Sequence, residues 1–145
     1  MQEVSTLRLY LLRGTYLLMV VGLGLTIWPL LLSGEIPEHM RGVVWSVLAA
    51  VSLLALLGIR YPLKMLPLLF FELVWKSVWV LAIGLPLWSS GQLGAGTAET
   101  MKECLMGVVF LVVIPWPYVL KHYVRAPSDP WRGVARVAAE RPRPA

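Results

Sequence analysis

Glu72 and Lys76 are the two residues of this chain whose types and spacing point most directly to chemistry. They lie inside LLFFELVWKSVWVLAIGLPLW, residues 68–88, a run long and apolar enough to cross a bilayer. Four residues apart with the glutamate N-terminal, they share a helix face in the favourable order for an ion pair. Counting from a hydrocarbon boundary near Leu66 at ~1.5 Å per residue places Glu72 ~9 Å deep and Lys76 ~15 Å deep. A lone charge near the midplane costs ~2.5–3.5 kcal/mol on insertion scales, so the pair must be compensated. Two readings stand level on the sequence. One is an internal ion pair that fixes the rotation of its helix. The other is the polar element of a site, pathway or proton relay.

Few other residues support a relay. Arg13 lies about a turn inside the first apolar run, where it can snorkel to the interface or approach Glu72; snorkelling is the favoured reading. With Glu103 near the start of the last run, that leaves Arg13, Glu72 and Lys76 as the candidate intramembrane polar site. Cys104 is the lone cysteine, which excludes an intrachain disulfide and a multi-cysteine metal cluster. It reads as a small apolar residue near a helix end. His39 and His122 fall on opposite membrane faces and cannot share a haem or metal. No H-E-x-x-H, G-x-S-x-G or P-loop motif is present. No catalytic or metal-ligating set emerges, no cofactor is expected, and a non-enzymatic role is favoured.

The elements that must position these residues are four apolar runs, residues 9–32, 42–59, 67–88 and 101–120. Composition agrees: 58% of the chain is hydrophobic and 14% charged, against ~25% charged in soluble domains. The first run exceeds the ~7–15 residue core of a signal peptide, and LLLSGEIP has no clear small-x-small cleavage site, so a retained span is expected. Charge orients the bundle. Arg8, Arg13, Arg60, Lys64, Lys121, Arg125, Arg132, Arg136, Arg141 and Arg143 fall on one side, against Arg41 and Lys102 on the other. That asymmetry places both termini in the cytoplasm. The net charge of +5 is explained by this topology, and no nucleic-acid partner is expected. Trp28, Trp45 and Trp88 form an outer aromatic belt, and Tyr10, Tyr61, Tyr118 and Tyr123 an inner one.

Connections are short. SGEIPEHMR and RYPLKMLP carry turn and helix-start signals, SSGQLGAGTAET reads as a flexible outer loop, and Thr100 with Glu103 has capping-box spacing. Short loops make sequential helices antiparallel neighbours, so the expected fold is an all-α, up-down-up-down four-helix integral membrane bundle over residues 1–125, N-in and C-in. Ser46 and Ala50 form a small-xxx-small pair suited to close helix approach. Pro115 and Pro117 should bend or end the fourth span. The basic tail, residues 126–145, carries Trp131, Arg132 and Arg136 as candidate lipid-surface contacts of a short amphipathic helix; the alternative is a solvated, disordered tail.

LRLYLLRGTYLLMVVGLGLTIWP, RYPLKMLPLLFFELVWKSVWVLAIGLPLW and IPWPYVLKHYVRAPSDPWR resemble a family of small, uncharacterised bacterial four-span inner-membrane proteins. The resemblance covers most of the chain and implies a bacterial cytoplasmic membrane, but brings no activity. Size and span plan also resemble the DoxX-like proteins in outline, without a specific motif. Expected partners are membrane lipids and either further copies of the chain or another membrane protein. The expected function is an accessory, scaffold or interaction subunit. A small oligomeric transporter or channel using Glu72 and Lys76 is the first alternative, and a membrane redox or lipid-modifying protein the second.

Overall fold

A computed structural model of the chain describes residues 4–35 and 37–129, and every regular element among them is helical. The chain divides into two compact units, Met1–Pro115 and Trp116–Ala145. The first holds α1 (Thr6–Leu32), α2 (His39–Arg60), α3 (Leu66–Ser89), α4 (Ala95–Leu105) and α5 (Val108–Val113). The second holds α6 (Trp116–Val119), which runs into a π turn at Leu120–Val124.

α1 starts where Ser5 caps it, its hydroxyl accepting from the Arg8 N–H at 3.3 Å. It then runs 27 residues against 22 in α2, and the two pack as an antiparallel hairpin. The contact face of α2 is a row of small side chains at a spacing of three, Ala49, Ser52, Ala55 and Gly58, all buried. Such residues let backbones approach closely where lipid supplies no hydrophobic drive for association. Tyr16, with no exposed surface, lays its ring on Gly58, and its hydroxyl donates to the Pro62 carbonyl at 3.1 Å. At the far end Trp28 Nε1 donates to Ser52 Oγ at 3.0 Å, and Ser52 donates on to Ala49 O at 2.7 Å. Ser46 and Ala50, the pair singled out from spacing, point away from this seam and are exposed.

Leu66, Leu69 and Ile114 join Leu12 and Tyr16 as fully buried side chains, so the core sits near the start of α3. Arg8 contributes there by donating to the Ile114 carbonyl at 3.3 Å. Ile114 itself has extended backbone, ψ 125°, which stops α5 just before Pro115.

α3 contains a π turn at Val80–Gly84, where the Leu85 N–H reaches back to Val80 O. The cause lies just ahead. Pro86 has no N–H to give Ala82 O, and its ring would collide with that carbonyl; a wider turn absorbs both. α3 closes with Gln92 N–H on Leu87 O and Gly91 N–H on Trp88 O, a Schellman cap.

α4 differs from the expected outer loop. It begins after Gly94, so Thr100 lies inside a helix with its hydroxyl donating to Gly96 O at 3.1 Å, and the capping-box spacing is not used. A turn at Met106–Gly107 separates α4 from α5. In place of one helix over residues 101–120 there are therefore three short ones. In the second unit, Tyr118 and His122 stack with ring centroids 4.2 Å apart. Trp131, Arg132 and Arg136, with the tail helix expected around them, lie outside the described residues.

Outward-facing side chains are overwhelmingly apolar, among them Leu18, Leu25, Val74, Leu81 and Val112. In water this surface would aggregate; against acyl chains it is solvated. α1, α2 and α3, at 27, 22 and 24 residues, are each long and apolar enough to cross a membrane. A fourth crossing is counted if the helices on either side of Ile114–Pro115 form one span. Three to four such helices among the described residues make the chain a multi-pass membrane protein.

Candidate functional site

Glu72 and Lys76 occupy successive turns of α3, and Lys76 Nζ donates to Glu72 Oε2. Both are withdrawn from the surface: side-chain exposure is 4% for Glu72 and 15% for Lys76. The ammonium also stands 4.2 Å from the centroid of the Trp75 ring and 5.6 Å from that of Phe110. Ring faces carry negative quadrupole, so two aromatic groups and a carboxylate together replace the hydration of one cation.

The stem of Lys76 lies on Gly107. A methyl at Gly107 would come within 2.8 Å of Lys76 Cδ and of the Cys104 carbonyl. The α4–α5 turn is therefore a slot for the lysine, and it brings Phe110, one turn further on, over the charge. A recess of about 230 Å³ opens between α3 and α4–α5, with Lys76, Ser77, Val80, Cys104, Gly107 and Leu111 in its wall. Ser77 already donates to Leu73 O at 2.7 Å, leaving the lining largely apolar.

One polar atom stands apart. Glu72 Oε1 is buried and has no hydrogen-bond partner among the described residues. Orphaned buried polar atoms are rare, because each costs ~1–3 kcal/mol or more when charged.

Arg13 bridges α1 to α2. Its Nε donates to the Ile59 carbonyl at 3.3 Å, and its guanidinium lies 6.0 Å from the Tyr10 ring. Ile59 is in the last turn of α2, where carbonyls lack intrahelical partners and the helix dipole favours a cation. Arg13 thus locks the α1–α2 hairpin. The other span hydroxyls turn back on their own helices, Thr15 to Leu11 O and Thr26 to Gly22 O, both at 2.9 Å.

Glu72 and Lys76 are therefore paired, Arg13 donates to a carbonyl of α2, and Gly107 and Phe110 complete a setting that spacing within one helix did not reveal. A glycine in the fourth run, within the length of a lysine stem, was the available signal. Cys104 is buried in the same recess. Among the described residues no group of three or more His, Cys, Asp or Glu side chains is arranged to hold a metal ion. No protein-family model, curated protein or solved structure matches this chain.

Proposed function

We propose that the chain is a non-enzymatic accessory or scaffold subunit of a bacterial cytoplasmic membrane, an up-down-up-down four-helix bundle with both termini in the cytoplasm. The observation that carries this reading is the setting of Lys76. Its charge is neutralised within its own helix by Glu72, its stem is slotted into Gly107, and the recess beside it is walled mostly by hydrocarbon. A carrier needs polar groups at successive depths that a substrate can reach. Here Tyr16, Trp28, Thr15 and Ser77 turn their donors to internal acceptors, as does Arg13 Nε. The charge asymmetry of the sequence supports the orientation.

Glu72 Oε1 supports the second reading, a small oligomeric transporter, since an unsatisfied carboxylate oxygen is what a transported cation or proton would occupy. Reconstitution separates the two. The purified chain alone in proteoliposomes is expected to leave an imposed pH gradient and membrane potential intact, while affinity capture from native membranes brings down a stoichiometric membrane polypeptide. Collapse of either gradient by the chain alone would assign transport instead.

A further inference from the structure

Along α3, on a side its neighbours leave open, runs an apolar groove of about 680 Å³. Its floor is one helix face from Pro67 to Ile83, with Phe70, Phe71, Trp75 and Trp79 standing along it. Sixteen steps at ~1.5 Å give ~24 Å, longer than one ~15 Å leaflet of hydrocarbon.

What occupies the groove is indicated by the turn that precedes its first residue, Pro67. The turn that leads into α3 puts Arg60 and Lys64 against one ring, their charged centres 5.4 and 5.5 Å from the Tyr61 centroid. Both cations are exposed, and neither forms an ion pair among the described residues. The sequence contains no aspartate or glutamate between Arg41 and Glu72 that would compensate them locally. A pair of uncompensated cations at the end of an aromatic-lined, hydrocarbon-wide groove matches a molecule with an anionic head and an apolar tail. We infer that this groove is a retained binding site for an anionic phospholipid, with the headgroup phosphate on Arg60 and Lys64 and one acyl chain along Phe71, Val74, Trp75 and Val78. The inference rests on the chain being a membrane protein and is independent of the accessory role.

The test is native mass spectrometry of the full chain released from nanodiscs of equimolar phosphatidylglycerol and phosphatidylcholine. The native protein is expected to retain phosphatidylglycerol at least fivefold over phosphatidylcholine. R60Q/K64Q, at exposed positions, brings the ratio near one, and K64Q alone serves if the double variant unfolds. V78W, which fills the groove from an exposed position, lowers retention of both lipids. Equal retention of the two lipids by the native protein overturns the inference, as does an unchanged ratio in R60Q/K64Q. Dimer peaks that disappear in V78W would also overturn it, by giving the face to a second copy of the chain.

Discussion

Lys76→Met is expected to destabilise the chain in mixed micelles by roughly 3 kcal/mol or more, the cost of removing one partner from a buried ion pair. The loss comes from what is left behind. Glu72 stays 3% exposed with both oxygens unsatisfied, since Oε1 has no partner even in the native protein. Glu72→Leu strands the ammonium instead and is expected to cost less, because the Trp75 and Phe110 rings still face it. The double variant, Glu72→Leu with Lys76→Met, removes both charges and replaces them with side chains of similar reach. Such replacements are often neutral or stabilising by ~1–4 kcal/mol, so it should recover most of the single-variant loss. Unfolding titrations of all four proteins give the coupling directly. If the double variant is as unstable as Lys76→Met, the pair is not the compensated unit described above.

The second large effect belongs to the hairpin. In Gly58→Ala the new methyl would collide with the Tyr16 ring at Cδ1, inside a contact with no exposed surface. Alanine is worth ~1 kcal/mol over glycine in a helix interior. Overpacking a filled core costs ~1–3 kcal/mol, and more when a ring cannot move. Tyr16 cannot move freely, because its hydroxyl is tied to Pro62 O, so the clash should win. The expected result is a net loss of at least 1 kcal/mol in reversible unfolding. Tyr16→Leu added to Gly58→Ala should return part of it. Gly22→Ala is the control: no atom lies within 4 Å of its added methyl, and the same propensity gain should leave it neutral or stabilised. A Gly58→Ala protein as stable as the native one would mean that the α1–α2 seam is looser than it is drawn.

The elements that were legible in the sequence are those whose signal is long and one-dimensional. Apolar runs bounded by proline, glycine and charge give α1, α2 and α3 to within a few residues, since hydrocarbon thickness sets their length. Glu72 and Lys76 were legible because an i, i+4 spacing fixes a shared face whatever the tertiary fold. The last run misled for local reasons. GAGTAET carries too little hydrophobicity to be read as a span and enough glycine to pass for a loop, yet it forms the first turns of α4. Further on, Gly107 breaks what hydropathy reads as one segment, while the break at Ile114–Pro115 falls where Pro115 was expected to bend or end the span. The hydrogen bond of Arg13 was not legible, because its acceptor is a backbone carbonyl of another helix, which spacing within one segment cannot encode. The row Ala49, Ser52, Ala55 and Gly58 was equally invisible, since small residues recur on every face of α2 and only packing selects one. Gly107 and Phe110 reach Lys76 through the register of α3 against α4–α5, which is again a tertiary property.

The central proposal is that the Lys76 charge, 15% exposed in its slot, is kept from bulk water, and the chain carries its own probe for it. Cys104 is its lone cysteine and lines the recess beside Lys76. In native membrane vesicles of either orientation, a charged, membrane-impermeant maleimide is expected to leave Cys104 unlabelled, with complete labelling after denaturation in SDS. Rapid labelling of Cys104 in the folded protein by the charged reagent, from either face, would show water reaching Lys76 and would contradict the account.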